Sequence, residues 1–316
     1  MPLFLSESDV TSVLTMPDAI AALETAFAAQ AQADAINLPR QRFYLPGGEL
    51  HSMAAAIPSL GVLGTKTYTS FADGLQFYIQ LYSVETGELL AFIEGNRLGQ
   101  VRTGAATGLA IKHMAILETP TAALFGTGFQ AETQAEALVT TLPNLREVQV
   151  YSRNVLGRQH FCQRMTARLN IRFTPAESPE ATVRNAKVIV TATSAREPIL
   201  QGSWLTPGDF IAAVGATRLS AREIDEETVA RATVVAVDDV SQAQMEAAEL
   251  LFAYERRKFL WKRAIPLSAI VIGRAKGRPD KDAITLFKSL GVAIEDIAVA
   301  AVAYEKAKTL GLGRIL

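Results

Sequence analysis

The chain has 316 residues, with 31 lysines and arginines against 32 aspartates and glutamates, so its formal charge is -1. Hydrophobic residues make up 49% and charged residues 20%, which is a globular composition and excludes an intrinsically disordered chain. The near-zero charge gives no electrostatic reason to expect a nucleic-acid or membrane partner. The length predicts two domains.

Cysteine and histidine are too sparse for disulfide or zinc chemistry. Cys162 is the single cysteine, which excludes an intrachain disulfide and favours the cytoplasm. His51, His113 and His160 are far apart and lack the spacing of zinc ligands, so we expect no metal site. No run of about 18 uncharged apolar residues is present, and the first residues lack the basic start of a targeting signal, so we expect neither a membrane span nor a leader.

The first third of the chain predicts helices followed by a largely antiparallel sheet. Residues 6–9 have the spacing of a capping box, and Pro17 suits a first helical turn. Residues 76–82 and 89–93 are rich in aromatic, branched and other apolar residues and are separated by a turn, which indicates a hairpin. A helix of small residues is predicted over 103–114, with Arg102 at its start.

From Thr121 onward, strands alternate with helices. Short apolar strands are predicted at residues 121–125, 148–152, 188–191, 210–214 and 234–238. This alternation predicts an α/β fold with a Rossmann-type doubly wound parallel sheet, beside a second α+β domain. We place the α+β domain at residues 1–115, completed by a C-terminal helix within 293–316, and the dinucleotide-binding domain at 116–292.

A glycine-rich turn follows the first of these strands. Its residues fit the pattern G-x-G-x-x-A and are Gly126, Thr127, Gly128, Phe129, Gln130 and Ala131. The first glycine allows the tight turn, the second lets the backbone approach a pyrophosphate, and the alanine lets the helix pack closely on the strand. Because a strand precedes this turn and a helix and a second strand follow, the pattern predicts a dinucleotide site.

The end of the second strand favours NADPH as the dinucleotide. An NAD enzyme usually has a carboxylate there to bind the ribose hydroxyls, whereas this chain has Ser152, Arg153 and Asn154. Arg153 would bind a 2′-phosphate, and its two neighbours would donate hydrogen bonds. The alternative is that Arg153 is a solvated surface residue and that both NADPH and NADH are used.

Three cations of the first domain are candidates for binding a carboxylate: Arg40, Lys66 and Arg102. Taken singly, each could be an ordinary surface charge. Arg102 has the better case, because it lies just before the nucleotide domain, where a cleft would bring cofactor and substrate together. If the three converge, the arginines would bind a carboxylate bidentately and the lysine as a point charge.

Six segments in order resemble the ornithine cyclodeaminase and μ-crystallin family across nearly the whole chain. They are NRLGQVRTGAATGLAIKHM (96–114), LFGTGFQA (124–131), YSRN (151–154), TATSAREPIL (191–200), AVGATRLSAREID (213–225) and LFKSLGVAIED (286–296). The resemblance implies hydride exchange between a nicotinamide and the α-carbon of an amino or imino acid. It also implies a homodimer formed through the first domain.

The resemblance further implies roles for individual residues. Arg40, Lys66 and Arg102 would grip the substrate carboxylate. The residues implied for cofactor binding are the glycine loop with Thr103 at the pyrophosphate, Thr193, Ser194, Val214, Gly215 and Ala216 along the adenosine and nicotinamide, and Ser289 near the nicotinamide.

Thr217 distinguishes subclasses within the family. The cyclodeaminases and the alanine dehydrogenase have an aspartate after the Gly-Gly or Gly-Ala pair, and a carboxylate suits the proton transfers of amine oxidation. Thr217 follows Gly215-Ala216 here, as a small hydroxyl residue tends to do in ketimine reductases, so we count Lys66, Arg102 and Thr217 as catalytic candidates. The expected function is an NADPH-preferring reductase of small imino acids, such as Δ1-pyrroline-2-carboxylate.

Two other functions remain open from the sequence. The chain could be an NAD-dependent ornithine cyclodeaminase or alanine dehydrogenase, with Glu49 or Asp73 in place of the missing acid. It could also be a non-catalytic NADPH-dependent binding protein of the μ-crystallin type. For His51, a structural role is favoured over a substrate contact.

Overall fold

A computed structural model describes all 316 residues. The chain forms two compact units, one of Met1–Ala105 with Gly291–Leu316 and one of Ala106–Leu290. The division between them lies within a helix, about ten residues before the boundary predicted at residue 115.

The N-terminal elements are two helices, five long strands, a short first strand and a long helix. They are β1 (Leu3–Leu5), α1 (Glu7–Val13), α2 (Met16–Ala31), β2 (Ile36–Leu45), β3 (Gly48–Ile57), β4 (Val62–Phe71), β5 (Gly74–Ser83), β6 (Leu89–Glu94) and α3 (Asn96–Met114). The predicted capping box is confirmed, because Ser6 and Asp9 each bind the other's backbone N–H through their side chains. The predicted β5–β6 hairpin is also confirmed.

The predicted start of α3 is wrong. The helix begins at Asn96 rather than beside Arg102, so Arg102 lies in its second turn. The Glu7 carboxylate accepts hydrogen bonds from the backbone N–H groups of Asn96 (2.6 Å) and Arg97 (2.8 Å). A residue 89 positions away therefore satisfies the free donors at the start of this helix.

The middle of the chain alternates strands and helices, as predicted. Its elements are β7 (Thr121–Phe125), α4 (Phe129–Thr141), β8 (Glu147–Tyr151), α5 (Val155–Leu169), β9 (Arg172–Pro175), α6 (Pro179–Val183), β10 (Val188–Thr191), β11 (Phe210–Ala213), α7 (Glu226–Arg231), β12 (Val234–Val237), α8 (Val240–Glu246), α9 (Ala248–Glu255), β13 (Ala264–Pro266), α10 (Leu267–Val271) and β14 (Thr285–Lys288). The chain ends with α11 (Ala293–Leu310) and β15 (Arg314–Ile315).

The first unit contains a seven-stranded sheet with the order β15-β1-β6-β5-β4-β3-β2. Its pairs are antiparallel except for β1 with β6. Helix α11 packs against β2 to β5 and against α2. A Cβ atom on Gly64 would lie 2.7 Å from Ile297 Cδ1, so the missing side chain lets α11 approach β4 closely.

The second unit contains an eight-stranded sheet with the order β13-β12-β14-β11-β10-β7-β8-β9, in which every pair is parallel. All residues of β10, β11, β12 and β14 are buried, as expected for strands covered on both faces. The predicted Rossmann-type sheet is thus confirmed. Strand β14 lies between β11 and β12, so Thr191, Ala213 and Lys288 adjoin at the carboxyl ends of three neighbouring strands.

None of the helices combines the length and the apolar character needed to cross a membrane.

Candidate active site

The three predicted carboxylate-binding cations lie together in the first unit, on β2, β4 and α3. Lys66 Nζ donates a hydrogen bond to Asp296 Oδ1 at 2.7 Å, and Arg102 Nε donates to the same oxygen at 3.0 Å. Lys66 is 2% exposed and Asp296 is fully buried. One carboxylate at the start of α11 therefore holds a lysine and an arginine side by side.

The turn before α11 brings Arg40 to the same place. Arg40 Nη2 donates to the carbonyl oxygen of Gly291 at 2.8 Å. Gly291 has a φ of +72°, and a Cβ atom there would lie 2.4 Å from Arg102 Nη1. Arg102 Nη1 also donates to Glu295 Oε2 at 2.7 Å. We call Arg40, Lys66, Arg102, Glu295 and Asp296 the cation group.

Three positive and two negative side chains thus meet in the cation group. Burial lowers the pKa of Lys66 to about 8; the Asp296 carboxylate raises this pKa, whereas the charges of Arg102 and Arg40 lower it. Buried charges need opposite charges or hydrogen bonds to compensate them, and the two carboxylates supply part of this. Guanidinium and ammonium groups are also the donors that bind a carboxylate, so the convergence of three of them suits a ligand with one carboxylate.

An aromatic stack lies next to Lys66 on the same face of the sheet. The ring centres of His51 and Tyr68 are 4.1 Å apart, and the two rings are nearly parallel. The Phe77 ring also stacks on Tyr68, with 4.8 Å between the ring centres. Lys66 Nζ lies 5.7 Å from the Tyr68 ring centre and 5.1 Å from that of Phe77. Glu49 Oε2 lies 3.1 Å from His51 Nε2. These rings provide an apolar wall beside the cations and a favourable cation–π environment for Lys66.

The glycine loop of the second unit fits a pyrophosphate. Gly126 has a φ of +110°, and a Cβ atom there would lie 2.2 Å from the Ala192 carbonyl oxygen, so only glycine allows this turn. Gly128 is the N-cap of α4, without a side chain to bind the free N–H groups, and a Cβ atom there would meet nothing within 4 Å. Open space thus faces an uncapped helix N-terminus, which is the usual site for a phosphate anion.

The predicted 2′-phosphate residues follow β8 at the edge of this loop. Ser152 Oγ lies 3.2 Å from Thr127 Oγ1, and Arg153 is exposed. Asn154 Oδ1 accepts a hydrogen bond from Gly157 N at 2.9 Å and caps α5, which leaves the side-chain NH2 group to donate to a phosphate. Arg158, which the sequence did not single out, donates to the Ser152 carbonyl oxygen at 2.7 Å and supports the loop.

A buried glutamate that the sequence analysis missed joins two of the predicted cofactor loops. Glu223 Oε1 accepts hydrogen bonds from Thr193 N (2.6 Å) and Thr193 Oγ1 (2.8 Å). Glu223 Oε2 accepts from Gly215 N (2.6 Å) and Thr191 Oγ1 (2.9 Å). Burial raises the pKa of Glu223. The segment of Thr193 and Ser194 and the segment of Val214, Gly215 and Ala216 are therefore fixed to one side chain.

Lys288 and Asp238 complete this end of the sheet. Lys288 Nζ is fully buried, donates to the Ala216 carbonyl oxygen at 2.5 Å and lies 3.4 Å from Glu249 Oε1. Asp238 Oδ2 accepts from Leu290 N at 2.6 Å and lies 3.4 Å from Ser289 Oγ. Ser289 is thus held at the carboxyl end of β14, beside the strand that leads to Gly215.

Thr103 and Thr217 are the last two predicted site residues. Thr103 belongs to the first unit, and its hydroxyl donates to the Gly99 carbonyl oxygen at 2.7 Å within α3. Thr217 is partly buried in the loop after β11, two residues beyond the Gly215 amide that binds Glu223. The roles of the candidate site residues stay predictions.

Known proteins similar to this chain include reductases and dehydrogenases. A Δ1-pyrroline-2-carboxylate reductase of Thermococcus litoralis, solved with NADH and L-proline, is 31% identical with a TM-score of 0.94, and the match covers 99% of this chain and 100% of that one. An archaeal alanine dehydrogenase dimer with bound NAD is 30% identical with a TM-score of 0.91, covering 99% and 98%. A Δ1-pyrroline-2-carboxylate reductase of Bacillus cereus is 32% identical over 282 residues, covering 85% and 86%.

The parallel sheet with its glycine loop and these relatives define an oxidoreductase that uses a nicotinamide cofactor. The model of the ornithine cyclodeaminase/mu-crystallin family matches residues 1–310, and the chain belongs to this family. The family resemblance found in the sequence is confirmed.

Proposed function

We propose that the protein is an NADPH-preferring reductase of small imino acids, with a cyclic ketimine such as Δ1-pyrroline-2-carboxylate as substrate and an L-amino acid such as L-proline as product. The observation that carries this proposal is the convergence of Arg40, Lys66 and Arg102 in the cation group, buried beside an aromatic wall. Such a site matches a small planar anion with one carboxylate. The similarity to two Δ1-pyrroline-2-carboxylate reductases supports the same substrate class.

In this proposal the cations orient the substrate. Arg40, Lys66 and Arg102 bind its carboxylate, and Tyr68 and Phe77 pack against its apolar ring. When bound, the nicotinamide supplies the hydride that the imine carbon accepts. The product nitrogen also needs a proton, which comes from water or from Lys66.

Thr217 favours reduction of an imine over oxidation of an amine. Oxidising L-ornithine or L-alanine requires a base to take protons from the amine, and a threonine hydroxyl is not a base near neutral pH. Glu49, one candidate for the replacement, lies against His51, which gives it a structural partner. The similarity to an archaeal alanine dehydrogenase keeps amine oxidation as the second candidate function.

The first test is a comparison of substrates. We expect NADPH oxidation with Δ1-pyrroline-2-carboxylate and its six-membered homologue, and no ammonia release from L-ornithine or L-alanine with either NAD or NADP. Absorbance of the reduced cofactor follows imine reduction and alanine oxidation, and a separate assay of ammonia follows L-ornithine, because cyclodeamination returns the hydride and leaves no net reduced cofactor. Failure of all cyclic and open-chain imino acids would contradict the proposal, and ammonia release from L-ornithine or L-alanine would establish the second candidate function.

The cofactor preference depends on Arg153. We expect Arg153→Ala to weaken NADPH binding about 10-fold, which corresponds to one charge-assisted hydrogen bond at an exposed site. NADH binding should stay within about 2-fold, because this cofactor has no 2′-phosphate. Quenching of protein fluorescence gives both dissociation constants, and Arg168→Ala, on the far end of α5, is the matched control. Equal losses for the two cofactors would contradict the role of Arg153.

We also propose that the chain forms a homodimer through its first unit. Strand β2 is an open sheet edge with exposed apolar side chains, including Leu38 (54% exposed), Phe43 (53%) and Tyr44 (73%). An open edge strand with exposed apolar side chains tends to pair with another chain, so it is usually covered by a partner or by another element. The dimeric alanine dehydrogenase supports this arrangement.

A further inference from the structure

We propose that Asp296 is a positioning residue that sets the state of the carboxylate-binding site, by holding Lys66 against Arg102 and keeping the lysine protonated. The effect on turnover rests on the proposed function, whereas the effect on Lys66 does not.

Asp296 is placed to do this by the first turn of α11. Its Oδ1 accepts both hydrogen bonds, from Lys66 Nζ at 2.7 Å and Arg102 Nε at 3.0 Å, while its Oδ2 is buried without a hydrogen-bond donor. A single oxygen thus fixes two cations that would otherwise repel each other in a dry environment. Because Asp296 is fully buried, bulk water does not compete with the two cations for its carboxylate.

The protonated state of Lys66 depends on Asp296, because its other neighbours stabilise the ammonium charge less or destabilise it. Arg40 on β2 and Arg102 on α3 lower its pKa, as burial does, and Asp296 raises it through both charge and hydrogen bonding. The uncharged rings of Tyr68 on β4 and Phe77 on β5 lie against Nζ. Other ionisable groups on this face are Glu295 on α11, which binds Arg102, the pair of Glu49 and His51 on β3, and Arg42 on β2, which is in register with His51.

Glu295 is the matched control for Asp296. It is the adjacent residue of the same helical turn, it is equally buried, and it also binds Arg102. Arginine stays protonated at any accessible pH, so Arg102 keeps its charge throughout a titration of Lys66. Replacing either acid by its amide removes one negative charge from the cation group, but only Asp296→Asn removes it from contact with Lys66.

The test is a direct titration of Lys66 in the full-length protein. The carbon-13 resonance of its Cε, assigned by its absence in Lys66→Arg, reports the protonation midpoint, and circular dichroism checks the fold of each variant. We expect a midpoint near pH 8 in the unsubstituted protein. Asp296→Asn should lower it by about one to three pH units, as expected for loss of an adjacent opposite charge. Asp296→Glu keeps the negative charge, so its Lys66 midpoint should stay close to that of the unsubstituted protein. Glu295→Gln should move the midpoint by less than about half a pH unit.

Turnover then provides a second readout. If the substrate needs protonated Lys66, kcat/KM for the imino acid falls as the pH rises through the Lys66 midpoint, and this alkaline limb should move to lower pH in Asp296→Asn. At pH 8 the loss should be about 5-fold or more. Glu295→Gln should weaken substrate binding without moving the limb.

The outcomes separate the inference from the proposed function. An unchanged Lys66 midpoint in a folded Asp296→Asn variant would overturn the inference, whatever the activity. A shifted midpoint without any turnover of imino acids would support the inference and overturn the function. Should the asparagine variant not fold, Glu295→Gln still decides: a fall of the Lys66 midpoint by about one pH unit or more in that variant would show that contact with Asp296 is not what keeps the lysine protonated, and would overturn the inference.

Discussion

Replacing Arg102 by methionine is expected to destabilise the first unit by about 3–5 kcal/mol and to lower kcat/KM by about 100-fold or more. Methionine fills much of the same volume, but it leaves the buried carboxylates of Glu295 and Asp296 without their shared cation. Removing one partner of a buried ion pair has a cost of this size, because the other charge stays desolvated. Urea unfolding followed by circular dichroism measures the free-energy change.

A double variant shows whether the uncompensated charge is the cause. Adding Glu295→Gln to Arg102→Met removes the carboxylate that Arg102 Nη1 binds, so it should recover part of the stability but none of the activity. The two changes should therefore be non-additive in the free energy of unfolding by at least about 1 kcal/mol. Additive losses would show that Arg102 stabilises the unit by packing alone.

Gly126→Ala is expected to abolish detectable dinucleotide binding and to destabilise the second unit by about 2–4 kcal/mol. Its new Cβ atom would lie 2.2 Å from the Ala192 carbonyl oxygen, and the φ of +110° is unfavourable for alanine. Relief requires a shift of the turn between β7 and α4, where the pyrophosphate is expected. Thermal unfolding and cofactor titration measure the two effects.

Gly128→Ala separates binding from stability at the same loop. Gly128 has a φ of −86°, which alanine adopts readily, and open space lies around its Cβ position. The variant should lose no more than about 1 kcal/mol of stability. Its methyl group would nevertheless occupy the space expected for the pyrophosphate, so cofactor binding should weaken about 10-fold or more. Unchanged binding would place the pyrophosphate elsewhere.

Local sequence patterns predicted the elements whose signals are local. Strand β10 matches its predicted bounds, 188–191, and helix α11 (293–310) lies within its predicted range, 293–316, because an all-apolar strand and a long continuous helix each have a strong signal. The start of α3 was missed because Glu7, far away in sequence, caps it. Strand β14 was missed because TLFK is short and ends in a lysine whose buried partners are contributed by other strands and helices.

The candidate site, too, could be predicted only in part from local sequence patterns. Arg40, Lys66 and Arg102 could be chosen from the sequence, and the structure brings them together. Their acidic partners were missed, although Glu295 and Asp296 interrupt the most apolar long stretch of the chain. Two acids in such a stretch are unfavourable unless they are paired in the interior, and that signal could have identified them. Glu223 had no comparable signal, since its four hydrogen-bond donors come together only through strand order.

Helix α11 is synthesised long after the strands that it covers, and this delay affects the folding of the newly made chain. Asp296 follows Lys66 by 230 residues and Arg102 by 194, so at about 5–20 residues per second the ribosome needs roughly 10–50 s to supply this partner. During that time the nascent sheet has neither its counter-charges nor the helix that covers its inner face. We therefore expect the first unit to mature only after α11 has been synthesised, and polypeptides terminated before residue 293 to be substrates for chaperones and proteases.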